Sequence, residues 1–345
     1  MSKGRPSLHI LLNKLTEEAQ ILKRITGGFP PSVDVNEIWK DIWLEETHHS
    51  TALEGNTLTP LELYRLVEQD RVTGNKEMRY YLEVQGYAQA AKWVYEQAVE
   101  SAKNGYFAIT GAHISEIHRQ LMGLVWGAYP PVTGDQPRQI RRGLTPIIRG
   151  AALRLPPSGD VPNLLDSLLK EINAGPLTMH PVEWVTRVHA EFEKIHPFAD
   201  GNGRTGRLFM SYMLILYGFP PAIIYKSQRS RYLRALERAQ GKNPDYSMLM
   251  ELVARAVREN LNKLLLPHIS EKEDLLPLSA LAEGTAYNSN YLRALVQKGK
   301  LKAIKEGSLW LSSKKWLDEY LSSRDIRGRN VKNKEMGKRD AGQGS

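Results

Sequence analysis

The segment from His196 to Arg207 combines residue types that suit a bound triphosphate. It reads His-Pro-Phe-Ala-Asp-Gly-Asn-Gly-Arg-Thr-Gly-Arg. Its glycines let backbone N–H groups approach an anion, and a helix starting after Gly203 would point its first N–H groups at that anion. Two arginines can hold phosphate oxygens, and Asp200 is a hard oxygen ligand suited to Mg²⁺. An imidazole with an ordinary pKa near ~6.5 could take a proton from an attacking hydroxyl.

This segment resembles the signature of the Fic family, His-Pro-Phe-x-Asp/Glu-Gly-Asn-Gly-Arg-x-x-Arg, at every specified position. The resemblance implies a nucleotidyl transferase that moves AMP from ATP to a Tyr, Ser or Thr hydroxyl of a target protein or of itself, releasing pyrophosphate. His196 would be the general base, and Asp200 the Mg²⁺ ligand. The residues implied to bind ATP are Gly201, Asn202, Gly203, Arg204, Thr205, Gly206 and Arg207.

Within that set the resemblance implies separate tasks. Asn202 and the Gly201 and Gly203 amides would form an anion hole for the α- and β-phosphates. Arg204 would hold the β-phosphate and Arg207 the γ-phosphate. In-line attack at the α-phosphorus would then depend mainly on positioning and charge neutralisation.

An upstream segment, Ser50 to Asn56, resembles the inhibitory motif of the same family, Ser/Thr-x-x-x-Glu-Gly/Asn. Ser50 and Glu54 are one helical turn apart and share a face, within a helix expected at about 35–56. By resemblance, Glu54 would pair with Arg207 and occupy the γ-phosphate position. A carboxylate there repels a triphosphate, so we expect an assembled enzyme whose activity is held down.

Weaker similarities suggest two further parts of the site. Four residues between Tyr129 and Pro162 are candidates for a β-hairpin flap that pairs with the target backbone: Thr145, Pro146, Ile147 and Ile148. The glycines common there in relatives are replaced by Ile148 and Arg149. Tyr232 and Gln240 are candidates for the adenine pocket. Arg141 is expected to be a solvated charge, and the histidines at 113, 118, 180 and 189 are expected to be structural.

The same segment also matches the dinucleotide-binding motif, but the surrounding sequence does not fit that motif. The pattern Gly201-x-Gly203-x-x-Gly206 matches the dinucleotide fingerprint, but that motif needs a preceding strand and an acidic residue about 20 positions later. The chain before His196 is predicted to be helical, and the stretch 226–231 contains no Asp or Glu. We therefore exclude a dinucleotide fold.

Composition indicates a globular protein of two or three domains with a basic C-terminal part. The 345 residues carry a net charge of +9, and the chain from Pro267 holds 15 Lys and Arg against 10 Asp and Glu. No cysteine is present, which fits a reducing compartment. The N-terminal apolar run is too short for a signal peptide, and no stretch is long enough for a membrane span, so a cytoplasmic location is expected.

Hydrophobic periodicity predicts a mainly helical protein, and the order of elements after Pro267 looks like a winged-helix domain. Together with the Fic resemblance, which implies a small β-hairpin flap, this gives an all-α core with that flap and a C-terminal winged helix. We predict helical and inhibitory elements in 1–105, the catalytic core in 106–266, the winged helix in 267–322 and a disordered tail in 323–345. The helices are expected at Leu8–Ile25, Val35–Leu53, from Leu61, Met78–Lys103, Pro162–Asn173, Pro181–Ile195, Arg204–Tyr217, Tyr232–Ala239, Tyr246–Leu266, Leu278–Glu283, Ser289–Lys298 and Lys314–Leu321. A hairpin is expected from Leu301 to Ser312.

Several functional alternatives stay open at this level. The chain could be a DNA-binding regulator whose Fic-like core senses a nucleotide, with the basic winged helix contacting DNA. It could also be a Fic enzyme that uses another nucleotide, or one that removes AMP with Glu54 orienting a water. A homodimer is a further expectation. The intact His196 favours the enzyme, because a sensor needs phosphate ligands but no base.

Overall fold

The computed structural model describes residues 8–142, 155–270, 274–283, 285, 287–297, 301–306 and 309–321. The predicted mainly helical fold is confirmed. The described helices are α1 Leu8–Thr26, α2 Glu37–Leu53, α3 Pro60–Gln69, α4 Met78–Lys103, α5 Gly111–Ala128, α6 Val161–Ala174, α7 Pro181–Ile195, α8 Asn202–Leu216, α9 Arg229–Gln240, α10 Ser247–Ser270, α11 Leu278–Ala282, α12 Ser289–Gln297 and α13 314–321. No helix in these ranges is both long and apolar enough to cross a bilayer.

Helix α8 is the central element of the fold. Every residue in it is buried except Gly203, and it packs against α4, α5 and α7. Its sequence is apolar nearly all round, which is typical of a helix surrounded by other helices. The polar residues at its N-terminal end, including Arg204 and Arg207, are therefore carried into the interior of the protein.

Helix α2 lies against α4 and delivers its C-terminal end to α8. Its N-terminus is capped by the Asn36 side chain, which accepts a hydrogen bond from the Trp39 N–H at 2.9 Å. Trp39 is fully buried, and the indole N–H of Trp43 donates to the Ala88 carbonyl of α4 at 2.9 Å. These contacts fix the first half of α2, so the position of its last two turns is set against the core.

Some boundaries differ from the predicted ones for identifiable reasons. Helix α8 begins at Asn202 and not at Arg204, because Gly201 adopts a left-handed conformation (φ +78°) that starts the helix directly. Helix α9 begins at Arg229 and not at Tyr232, since its first turn is polar and carries no periodic signal. Helix α5 was not predicted, although its buried residues recur at helical spacing: Ile114, Ile117, Leu121 and Val125.

The chain divides into two compact units. The larger one is Leu15–Leu261, so the division predicted near residue 105 falls inside it. The smaller one contains Asn262 onward, together with residues up to Lys14. Its described part has a small core in which Leu278, Leu292 and Leu317 pack together.

A three-stranded antiparallel sheet completes the smaller unit. Strands β1 (Leu276–Pro277), β2 (Ile304–Glu306) and β3 (Leu309–Ser312) lie in the order β1-β3-β2. The predicted hairpin is present as β2 and β3, with Lys305 opposite Trp310, whereas β1 was not predicted. The tail predicted to be disordered at 323–345 lies outside the described residues.

The tight packing of α4 on α5 generates a stability prediction. A Cβ atom at Gly86 of α4 would lie 2.6 Å from the Leu121 carbonyl oxygen of α5, so Gly86→Ala must push the two helices apart. We expect a loss of about 1–3 kcal/mol in the free energy of unfolding, measured in urea.

The control lies on the same helix pair. A Cβ at Gly123 of α5 would meet nothing within 4 Å, so Gly123→Ala should be neutral or stabilise by up to about 1 kcal/mol through helix propensity. Equal effects of the two substitutions would show that the close approach of α4 and α5 is wrong.

Candidate active site

His196 occupies the turn that joins α7 to the loop before α8. It caps α7 in a left-handed conformation (φ 52°), and its N–H donates to the Phe192 carbonyl at 3.0 Å. Positive φ is uncommon for residues other than glycine and concentrates at functional sites. The turn ends α7 at Ile195 and leads the chain into the loop that precedes α8.

Arg141 holds this turn from the other side, which corrects the expectation of a solvated charge. The residue is 3% exposed, and its Nε donates to the His196 carbonyl at 2.8 Å. The same guanidinium donates to the Pro156 carbonyl at 2.6 Å and to the Ser158 hydroxyl at 3.1 Å. The backbone N–H of Arg141 donates to the Pro197 carbonyl at 2.9 Å. Arg141 therefore ties two further segments to the backbone of His196.

The loop between His196 and α8 is closed by Asn202. The amide oxygen of this buried side chain accepts from the Phe198 N–H, and its NH₂ donates to the Phe198 carbonyl, both at 2.8 Å. Because both polar groups of the side chain are engaged in shaping the loop, a contribution of Asn202 to an anion hole would come from its backbone N–H.

His118 on α5 supports the same loop. Its ring stacks on Phe198 with centroids 3.8 Å apart. Its Nδ1 accepts from the Arg138 N–H at 3.0 Å, which assigns the proton to Nε2, 3.1 Å from the Asp200 carbonyl. Burial lowers the pKa of His118 to about 4, which fits this neutral tautomer. A structural role, as the sequence predicted, agrees with these contacts.

The glycines of the loop stand where neighbouring side chains come close to the backbone. A Cβ at Gly203 would lie 2.5 Å from Glu54 Oε1, and one at Gly201 would lie 2.8 Å from the sulfur of Met122. Gly206 faces Glu193 and Phe192 in the same way. Thr205 is fully buried, and its hydroxyl oxygen has no hydrogen-bond partner among the described residues.

Asp200 and Arg204 lie at the N-terminal end of α8. The Asp200 side chain is 51% exposed, and its Oδ1 accepts from the Gly201 N–H at 2.6 Å. Arg204 is buried and lies 3.5 Å from Asp200 and 3.9 Å from Glu83. The described residues contain no group of three or more His, Asp or Glu that could hold a metal ion. Mg²⁺ prefers one or two carboxylates completed by phosphate oxygens and water, so an accessible Asp200 fits such an ion.

Arg207 makes the most connected ion pair of the site. Its buried guanidinium donates to Glu54 Oε1 at 2.7 Å, to the Ser50 hydroxyl at 2.7 Å and to the Ser50 carbonyl at 3.0 Å. Burial opposes the charge of Glu54 and is the largest single effect on it. The positive charges of Arg207, Arg204 and Arg229 together outweigh burial and hold the pKa of Glu54 below its usual range.

The two residues predicted for the adenine pocket, Tyr232 and Gln240, are buried and bond to residues of α7. Tyr232 is 2% exposed, and its hydroxyl donates to His189 Nε2 at 2.8 Å, while His189 Nδ1 lies 3.1 Å from the Gly206 carbonyl. Gln240 is buried and donates to the Ala190 carbonyl at 3.0 Å. Both side chains are held by α7, so their contact with adenine stays a prediction.

The flap candidates Thr145, Pro146, Ile147 and Ile148 lie outside the described residues.

Glu193, which sequence reasoning missed, is a buried carboxyl one turn before His196. Burial raises the pKa of Glu193 to about 7, and the charge of Arg207 opposes part of that rise. Its spacing from His196 is the only sequence signal that could have marked it.

The Glu54–Arg207 pair should make stability depend on pH. Since the folded state lowers the pKa of Glu54, the pair stabilises the protein above the unfolded pKa of 4.5, and this stabilisation is lost as pH falls through the folded pKa. We expect Glu54→Gln to lower the free energy of unfolding at pH ~7, and we expect this deficit to shrink as pH falls below the unfolded pKa of 4.5. Urea unfolding of both proteins measures the difference, and a deficit that does not change with pH would contradict the pairing.

The imidazole of His196 should titrate well below neutrality. Burial is the main cause and lowers its pKa to about 4, with Arg141 adding to the shift and the Glu193 backbone opposing it. The neutral form, which can accept a proton, is thus fully populated at pH 7. We expect an NMR titration, with the His196 signal assigned by its loss in His196→Ala, to give a midpoint near 4. A midpoint near 6.5 would mean that the ring is exposed to water.

Comparison with known proteins places this site in a family. The model of the Fic/DOC family matches residues 108–214. A protein adenylyltransferase Fic from Nematostella vectensis is 30% identical over 263 residues, which cover 74% of this chain and 56% of that protein. One from Drosophila melanogaster is 32% identical over 202 residues, 58% of this chain and 38% of that protein. The chain therefore spans roughly half the length of these curated relatives or less.

The same fold is present in a solved structure. A Fic protein from C. elegans has a TM-score of 0.64 at 22% identity, covering 76% of this chain and 73% of its own. The loop after His196 and α8 as far as Leu214 lie within the residues 108–214 that the family model matches. The segment 108–214 is accordingly a domain of the Fic/DOC family.

Proposed function

We propose that this protein transfers AMP from ATP to a Tyr, Ser or Thr hydroxyl of a target protein or of itself and releases pyrophosphate. The observation that carries the proposal is the partly buried His196, whose backbone carbonyl is held by Arg141 and whose imidazole is neutral at pH 7 because its pKa is lowered to about 4. A base is needed only if a hydroxyl attacks. The relatives named protein adenylyltransferase support the same reaction.

The proposed reaction is an in-line displacement at the α-phosphorus. The His196 imidazole accepts the proton of the attacking hydroxyl, whose oxygen forms the new bond as the bond to pyrophosphate breaks. The backbone N–H groups at the start of α8 face the phosphates, while Arg204 and Arg207 neutralise the β- and γ-phosphates. Asp200 would hold Mg²⁺, which when bound supplies charge neutralisation on the phosphates.

We further propose that the protein restrains itself through Glu54. Its carboxylate bonds to Arg207 and lies close to Gly203, so a γ-phosphate can reach Arg207 only if Glu54 leaves. Two anions competing for one guanidinium repel each other when both are present. The resting protein would thus have an assembled site in which ATP is held out of line.

The remaining parts of the chain are assigned as part of this proposal. The order α11, α12, β2, β3 and α13, with β1 added to the sheet, supports a winged-helix domain within 267–322. The division into 1–105 and 106–266, DNA binding by the winged helix, a homodimer, the flap at 145–148 and a cytoplasmic location stay predictions.

Labelling with α-³²P-ATP and Mg²⁺ tests the proposal. We expect the protein itself to become labelled, more strongly in Glu54→Gly than in the wild type because Arg207 is released. Adding His196→Ala to Glu54→Gly should reduce labelling at least about 100-fold, since the general base is lost. Gel-resolved initial rates measure both effects.

The control experiments separate the alternatives. Labelling with γ-³²P-ATP should give none, because that phosphate leaves with pyrophosphate. Equal α-label in all three proteins would contradict the mechanism, and stronger label from GTP, CTP or UTP would change the substrate. Loss of AMP from pre-labelled wild type, but not from Glu54→Gly, would instead favour AMP removal with Glu54 orienting a water.

A further inference from the structure

Glu46, Ser50 and Glu54 form a polar stripe along the last turns of α2. They are spaced four residues apart and therefore share one face of the helix. Ser50 and Glu54 bond to Arg207 of α8, and Glu46 Oε1 accepts from the Ser211 hydroxyl of α8 at 2.7 Å. Because Arg207 and Ser211 are also four residues apart, the two helices are joined by a ladder with the same spacing on both sides.

Glu46 is a buried carboxyl at the far end of this ladder from Glu54. It is 3% exposed, and its carboxyl also accepts from the hydroxyls of Tyr95 at 2.5 Å and Tyr87 at 3.4 Å, both on α4. Burial raises the pKa of Glu46 to about 7, while the bonds from Tyr95 and Ser211 and the charge of Arg207 oppose the rise. A carboxyl in the core is costly, so its donors must hold it in one place.

The position of Glu46 along α2 indicates what its bond to Ser211 does. Glu46 lies two helical turns before Glu54, about 12 Å along the axis at 1.5 Å per residue. Apolar packing holds both ends of α2, with Trp39 buried near its start and Leu53 buried near its end in a hydrophobic cluster. Such packing is not directional, so by itself it sets the register of α2 on α8 only loosely. A directional hydrogen bond restricts that register much more narrowly than apolar contact does.

We propose that Glu46 is a positioning residue for the inhibition: its bond to Ser211 fixes α2 in register on α8 and so brings Glu54 to Arg207. This inference rests on the proposed function, because it assigns how the restraint on that same site is set. Glu46 itself touches neither nucleotide nor reacting atoms. Loosening it should release Glu54 without altering the catalytic residues.

Ser211→Ala tests the rung with a small change in volume. In the protein with Glu54 intact, we expect the initial rate of self-labelling to rise roughly three- to tenfold, the effect of losing one ordinary hydrogen bond. In the Glu54→Gly background the same substitution should leave the rate unchanged, because no inhibitor remains to be positioned. Glu46→Gln keeps an acceptor for Ser211 and should keep the inhibition.

Tyr95→Phe is the matched control. It removes another donor to the same carboxyl but leaves the Ser211 rung and the ring contact of Tyr95 with Trp39 in place. We expect it to lower Tm about as much as Ser211→Ala does and to leave the labelling rate at the wild-type level. A purely structural role of the buried carboxyl predicts equal effects of Tyr95→Phe and Ser211→Ala on labelling.

The outcomes decide both questions separately. An unchanged rate for Ser211→Ala, or the same change with and without Glu54, overturns the role of Glu46. If Glu54→Gly labels nothing at all, the proposed function fails, and hydrogen exchange then decides the inference. Ser211→Ala should speed exchange of the Glu54 N–H, which bonds to the Thr51 carbonyl, more than exchange of the Trp39 N–H. Equal exchange at Glu54 in both proteins would overturn it.

Discussion

The positive charge of Arg207, enclosed in the middle of a helical core, is the constraint on which the rest of this site depends. A buried guanidinium is tolerated only with hydrogen-bond partners and an anion, because leaving it unpaired costs several kcal/mol. Here α2 supplies both, through Ser50 and Glu54. In the proposed function the site would hold an anion in either state, the Glu54 carboxylate at rest or a phosphate when ATP is bound productively.

In the proposed exchange of anions, Arg207 attracts a carboxylate in the inhibited state and a phosphate in the productive state. Only the difference between these two attractions enters the balance between the states. The balance between the two states also depends on weaker hydrogen bonds that hold α2. Examples are the bond from the Arg229 guanidinium to the Leu53 carbonyl and the bond from Ser211 to Glu46. Each is worth about 1 kcal/mol or somewhat more, enough to shift populations several-fold.

The sequence predicted the elements whose signals are local. The helical class followed from periodicity, and the segment 196–207 stood out because its residue types and spacing are specific. The contacts of Arg141 could not be predicted, since its acceptors lie 15 to 55 positions away in the chain. For the same reason, Asn202 was expected to contact phosphate, whereas its side chain closes the loop on Phe198.

Burial was the second quantity that the sequence could not supply. The pKa of His196 was expected to be ordinary, but partial burial, with a smaller effect from the charge of Arg141, lowers that pKa to about 4. Glu46 is one of several acidic residues in α2, and only its depth and its contact with Ser211 distinguish it from Glu45. The helix α5 was missed although its periodicity was present.

The bonds of Arg141 also bear on how such a protein could change during evolution. The guanidinium joins residue 141 to Pro156 and Ser158 at the carbonyl of His196, so the chain leaves and returns at one fixed point. Because both ends are tied to the backbone of His196, substitutions between them would leave that backbone in place. The position of the proposed base and the sequence of the intervening stretch can therefore change independently during evolution.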